Sequence, residues 1–131
     1  MENSIALDTD ILVNLLRGIP ETVRWIKEYE EKYEFITTVI NVFELYAGAY
    51  KDVNVEKKIS DVNELLQNFK ILDFSTESAK EAGKHKAKLE NQGLIIDRGD
   101  LFIGVIALVN GVALKTNNKK HFERIEGLKL A

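Results

Sequence analysis

The residues with the clearest chemical potential are carboxylates at the edges of apolar segments. Asp97-Arg-Gly-Asp100 opens a run over 101–109 in which Leu101, Phe102, Ile103, Val105, Ile106, Ala107, Leu108 and Val109 leave no polar face. A helix apolar all round is a buried helix. A carboxylate at its mouth is costly unless hydrogen-bonded, paired or bound to metal. Two readings compete. Asp97-x-x-Asp100 has the spacing of a capping box, and an acidic group where the helix dipole favours negative charge is also placed to hold a divalent cation. The two can divide the work, with Asp97 capping and Asp100, one turn in, pointing at the sheet edge. Asp8 and Asp10 follow a short apolar segment, and Glu44 shares a helix face with Ile40, Ala47 and Gly48 by the i, i+3, i+4 rule. Thr116-Asn117-Asn118 follows another apolar segment.

The elements that must position these groups alternate. Strands are expected at 5–7, 35–38, 70–74 and 112–115, with a last edge strand from 125–130. Helices are expected at 11–16, from Pro20 through Tyr29, at 39–50, 55–69, 77–91, and from Asp97 onward. Thr38 is placed to cap the third helix, Ser75 or Thr76 the fifth, and Gly93 ends the fifth. Strands alternating with helices predict a parallel sheet in an α/β layered fold. The expectation is one domain over 1–131, a three-layer α/β/α arrangement with a central, mainly parallel sheet of four to five strands.

In such sheets ligands bind beyond the carboxyl ends of the strands, at a switch in strand order. Asp8, Asp10, Thr37, Thr38, Asp100, Thr116, Asn117 and Asn118 all fall at that predicted edge, with Glu44 on the helix after the second strand. Gathered there, the carboxylates would form a hard, oxygen-only site suited to magnesium or manganese. Each has a plainer reading. Asp8 serves equally as a turn or N-cap residue, Asp10 is the better candidate for capping, and an isolated helical Glu44 is ordinarily solvated. Asn117-Asn118 is an ordinary turn pair. His121 reads as a surface or packing residue.

Composition narrows the chemistry. The formal net charge of −3 offers no global basic field for nucleic acid, so such contact would need a local patch or a bound metal. Arg98, Lys115, Lys119, Lys120 and Arg124 are the local cations near the predicted edge. The absence of cysteine excludes disulfides, zinc thiolates and thiol nucleophiles, and leaves His85 and His121 for imidazole chemistry. The N-terminus lacks the pattern of a signal peptide and the central apolar run is shorter than the ~20 residues of a bilayer span. A soluble cytoplasmic protein with no membrane contact is expected.

Taken together, Ile5-Ala-Leu-Asp-Thr-Asp10, Thr38-Val-Ile-Asn-Val-Phe-Glu-Leu-Tyr-Ala-Gly48, Asp100-Leu-Phe-Ile-Gly-Val-Ile-Ala107, Thr116-Asn-Asn-Lys-Lys-His-Phe122 and Ile125-Glu-Gly-Leu128 resemble the PIN-domain ribonucleases, close to the VapC-type toxins of toxin–antitoxin pairs. No piece is specific alone; their order and spacing over nearly the whole chain are. The resemblance implies a magnesium- or manganese-dependent endoribonuclease. Asp8, Glu44 and Asp100 match its three acidic metal ligands. Asn118 matches a fourth catalytic position that is often Asp, and Thr116 a hydroxyl beside the site, with Asp97 as a further supporting group. Gly104-Val105 stands where many relatives have small residues. The resemblance also implies an RNA substrate, an antitoxin partner and a homodimer, for which Trp25, Tyr29, Tyr46 and Tyr50 are candidate contacts.

Other classes fit parts of the pattern. A receiver-type signalling module would use Asp8 and Asp10 for magnesium, Asp73 as phosphoryl acceptor, and Lys115 with Thr116 as partners. A haloacid-dehalogenase-like phosphotransferase would use Asp8 as nucleophile, but needs a late acidic pair where this chain has Asn117-Asn118. A PIN-like domain that only binds RNA or protein is the third, kept open by the neutral Asn118.

Overall fold

The computed structural model describes residues 3–131, so the first two residues of the expected 1–131 domain lie outside the described residues. The elements run β1 (Ser4–Leu7), α1 (Thr9–Leu16), α2 (Pro20–Tyr29), β2 (Glu34–Thr38), α3 (Val39–Tyr50), α4 (Val55–Leu66), β3 (Lys70–Leu72), α5 (Thr76–Asn91), α6 (Arg98–Val109), β4 (Ala113–Lys115) and α7 (Lys119–Phe122). The strands form one parallel sheet in the order β3-β2-β1-β4. The register sets Ala6 beside Ile36 and Leu114, and Leu7 beside Lys115.

Side chains alternate across the sheet, and β1 shows the consequence. Ile5 and Leu7 join Ile11, Leu12, Leu45, Ala49 and Val62 of α1, α3 and α4 in one core. Ala6 faces the other way, with Ile36, Leu72 and Leu114, onto Ile103, Ile106 and Ala107 of α6 and Phe122 of α7. Helices thus cover both faces, giving the three-layer α/β/α architecture. The apolar run opened by Asp97 is the most buried helix: Leu101 and Ile103 through Ala107 are buried. Gly104 lets it lie close to the C-terminal segment, since a Cβ there would stand 2.3 Å from Ile125 Cδ1.

Two expectations need correction. The last edge strand does not form: the tail makes an isolated parallel bridge, Leu114 with Leu130. Gly127, at φ 88°, turns the chain just before it and leaves too few residues for a ladder. The third strand stops at Leu72 rather than at residue 74, because Phe74 turns away to stack on Phe102 of α6 with ring centroids 4.5 Å apart. Among the described residues no helix is long and apolar enough to cross a membrane.

Candidate active site

β1 and β4 are neighbours although β1 connects forward to β2, so the sheet's switch in order lies at their carboxyl ends. Asp8 sits at that point. Its N–H donates to Lys115 O at 3.0 Å, extending the ladder by one step before the chain turns into α1. Asp8 is the N-cap of α1, with Oδ1 accepting from Thr9 N at 2.8 Å. Capping does not exhaust it. Oδ2 accepts from Thr116 Oγ1 at 2.7 Å, and Oδ1 accepts from Asn41 Nδ2 at 3.1 Å. Burial holds the Asp8 carboxyl above the usual carboxylate range; the Thr116 hydroxyl pulls it down, and nearby Asp10 pushes it further up.

Asp10 is not the cap. One of its oxygens accepts from Ile11 N at 2.8 Å and the other from Asn117 N at 2.9 Å, which ties the start of α1 to the loop after β4. That loop is also fixed by Thr116, whose hydroxyl accepts from Asn118 N at 3.0 Å.

Glu44 arrives on α3, whose start is set by Thr38 and Asn41 acting as a capping box. Its Oε1 accepts from Thr9 Oγ1 at 2.5 Å. The start of α6 closes over its other oxygen: a Cβ on Gly99 would lie 3.2 Å from Glu44 Oε2 and 3.1 Å from Asp97 Oδ2. Burial raises the Glu44 carboxyl, and Asp100, Asp97 and Asp10 add to the rise. Asp97 caps α6 by accepting from Asp100 N at 3.3 Å. Asp100 turns its own carboxylate to the pocket, where burial raises its pKa first and Asp8 second, with His121 opposing. The division of labour expected for Asp97 and Asp100 is the one observed.

Asp8, Glu44, Asp100 and Asn118 therefore line one open cavity of about 500 Å³, together with Thr9 and Asp10. Among the described residues no three acidic or histidine side chains stand close enough to cage an ion by themselves. The donor set still suits a hard cation that keeps part of its water shell and takes one or two carboxylates, as magnesium does. Burial is the main cause of the raised pKa of all three carboxylates, with neighbouring carboxylates adding to it, so a cation in the pocket would favour their charged forms.

A model of the PIN domain matches residues 5–128. The chain belongs to the PIN-domain family. It is 31% identical over 124 residues to ribonuclease VapC2 of Haemophilus influenzae, covering 94% of this chain and 92% of that protein. It is 28% identical over 129 residues to the tRNA(fMet)-specific endonuclease VapC of Salmonella typhimurium, covering 95% and 93%. Among solved structures it is similar to VapBC2 from Rickettsia felis bound to a DNA fragment from their promoter, with a TM-score of 0.89 at 29% identity over 98% of this chain and 97% of that one. The resemblance read from the sequence motifs is thus borne out, and the chain is a PIN-domain protein of VapC type.

Sequence reasoning passed over four parts of this PIN-domain pocket. Asn41 is fully buried and joins Asp8, Thr9 and Thr38. Thr9 relays that contact to Glu44. Gly99 makes room for Glu44. His121, expected at the surface or in packing, is exposed but stands at the site: Asn118 Nδ2 lies 2.8 Å from its Nδ1, and Asp100 Oδ2 lies 3.4 Å from the same nitrogen. The signal for Asn41 was present, an Asn three residues after a capping Thr.

Other candidates do not converge on the pocket. Asp73 is exposed just past β3, at the opposite edge of the sheet from β4, which removes the geometric basis of the receiver alternative. Arg124 donates to the carbonyl of Ile95, and Arg98 lines a groove between α5 and α6. Of the four aromatics expected as contacts, Trp25 and Tyr29 stack on each other, Tyr46 bonds to Asn63, and Tyr50 is exposed.

Proposed function

We propose that this chain is a metal-dependent endoribonuclease cleaving RNA phosphodiester bonds, the toxin of a toxin–antitoxin pair. One observation carries the reading. Three carboxylates, from the end of β1, from α3 and from α6, line one pocket at the switch point of a parallel sheet, with neutral Asn118 at the fourth corner, and burial holds the pKa of each above the usual range. The ribonuclease and endonuclease names of its VapC relatives agree with it.

On this reading Asp8, Glu44 and Asp100 would hold magnesium or manganese, with retained water completing the contacts the carboxylates do not make directly. The bound ion supplies Lewis acidity that lowers the pKa of water and offsets charge on the phosphoryl oxygens. The chain's own groups prepare that chemistry. Thr116 and Asn41 fix the Asp8 carboxylate from opposite oxygens. Thr9 fixes Glu44, and Asp97 caps α6 so that Asp100 keeps its place. Asn118, neutral and tied to His121, presents an amide to the substrate side of the pocket without adding repulsion to an incoming phosphate. The similar structure solved as VapBC2 supports an antitoxin partner. Self-association as a homodimer belongs to the same proposal, with exposed Tyr50 and Ile95 as apolar surface to cover.

The test is cleavage of a mixed RNA that includes tRNA, by purified antitoxin-free protein, with magnesium, manganese or chelator. Asp100→Asn and Asp73→Asn run alongside. Metal-dependent cleavage lost in Asp100→Asn and kept in Asp73→Asn is expected. Folded protein that cuts nothing with either metal would overturn the enzyme reading in favour of a binding-only relative. Cleavage surviving in Asp100→Asn would overturn the site.

A further inference from the structure

The loop after β4 forms a second cavity of about 480 Å³, lined by Lys115, Thr116, Asn117, Asn118, Lys119 and Lys120. It adjoins the carboxylate pocket, and Asn118 lines both. Among the described residues none of these three lysines is in an ion pair; the pairs formed involve other cations, such as Lys57, Lys86 and Lys88. The ammonium of Lys115 is held in place, because its Nζ lies 4.7 Å from the centre of the Trp25 ring, itself packed on Tyr29 and Phe35. The loop is held too, by Asp10 accepting from Asn117 N and Thr116 accepting from Asn118 N. In a chain of net charge −3, three cations without ion pairs beside an acidic pocket, one of them held over Trp25, are a local departure that calls for an anionic occupant.

We propose that this lysine cleft binds the phosphates flanking the scissile one, so that single-stranded RNA is anchored beside the carboxylate pocket. The proposal rests on the ribonuclease reading of that pocket. It divides the labour by charge. The carboxylates repel a phosphate until a cation is bound, whereas the lysines attract the backbone in any state. Burial first and the neighbouring Lys119 second lower the Lys115 pKa, with Asp10 opposing, and a phosphate in the cleft would favour the charged ammonium. Asn118, at the junction, marks where the strand passes from one cavity to the other. Anchoring of this kind is blind to base identity, because phosphate contacts position the strand and base contacts specify it.

The test is binding of a labelled single-stranded RNA to the full chain in chelator, where nothing is cut, read by fluorescence anisotropy over a range of salt. The variants are Lys119→Ala with Lys120→Ala, and Lys115→Met, which keeps an apolar stem over Trp25. Lys80→Ala with Lys84→Ala removes the same charge from exposed positions on α5. The slope of log affinity against log salt should shrink by about 0.7 for each phosphate that a cleft variant no longer neutralises, and stay at the wild-type value in the α5 control. With metal present, the cleft variants should raise KM more than they lower kcat. Cleft variants indistinguishable from the α5 control, or wild-type protein that does not bind at low salt, would overturn the proposal. Lysine-dependent binding by a protein that cuts nothing under any metal would retain the cleft and overturn the nuclease reading.

Discussion

Asn41 carries the sharpest quantitative expectation. Its side chain is fully buried and fully hydrogen-bonded. Oδ1 accepts from Thr38 N at 3.3 Å and from Thr38 Oγ1 at 2.7 Å, while Nδ2 donates to Asp8 Oδ1 at 3.1 Å and to Thr9 Oγ1 at 2.9 Å. Leucine has similar bulk and offers none of these. Stranding buried donors and acceptors costs about 1–3 kcal/mol each, and burial of the leucine returns about 2 kcal/mol. Asn41→Leu should therefore lose about 3 kcal/mol. Unfolding entropy of about 2.1 cal/mol/K per residue over 131 residues makes that a fall in Tm of about 10 °C.

Asn41→Asp separates this network from plain packing. Its carboxylate still accepts from Thr38 but meets Asp8 oxygen to oxygen where the amide donated. Like charges raise the folded-state pKa above the unfolded value. In the window between the two, the folded state holds more protons, so stability falls as pH rises and the cost is full above it. Asn41→Asp should then approach wild type near about pH 4 and fall away by about pH 7, whereas the Asn41→Leu deficit stays level. Urea and thermal denaturation followed by circular dichroism reads both. An Asn41→Leu protein within about 0.5 kcal/mol of wild type, or two variants with the same pH profile, would refute the claim that Asn41 holds Asp8.

The raised pKa values of Asp8, Glu44 and Asp100 carry the same sign in the metal-free wild type. Stability should fall as pH rises above the ordinary carboxylate range, and magnesium or manganese should restore more of it at high pH than at low pH. At a hundredfold excess over Kd the gain is about 2.7 kcal/mol. Differential scanning fluorimetry that shows equal metal shifts at both pH values, or an undiminished shift in Asp100→Asn, would sink this expectation. Gly104→Ala places a Cβ 2.3 Å from Ile125 Cδ1 and 3.3–3.4 Å from Leu128 and Phe122. Overpacking of about 1–3 kcal/mol outweighs about 1 kcal/mol of helix propensity, so Tm should fall by a few degrees. An unchanged Tm would show that the C-terminal segment gives way.

The sequence by itself determined the alternation of strands and helices, and with it the carboxyl edge where Asp8, Glu44, Asp100, Thr116 and Asn118 meet. Those are consequences of local patterning: period-two and period-3.6 hydrophobicity, cap residues, and the rule that parallel sheets bind at their strand ends. It also separated Asp97 from Asp100, because a helix start needs its own acceptor. What local pattern does not encode is which distant polar atoms meet. Asn41 reaches Asp8 across 33 positions, Thr9 reaches Glu44 across 35, and His121 approaches Asp100 across 21. The first two contacts exist because α1 and α3 pack side by side on one face of the sheet, and the third because α6 and α7 pack together on the other. The fifth strand failed for the related reason that pairing depends on how the tail leaves Gly127 rather than on its apolar residues. The same long-range packing sorted the cations. Arg124 went to a backbone carbonyl and Arg98 to another groove, while Lys115, Lys119 and Lys120, neighbours in one loop, were set beside the carboxylates by the packing of that loop.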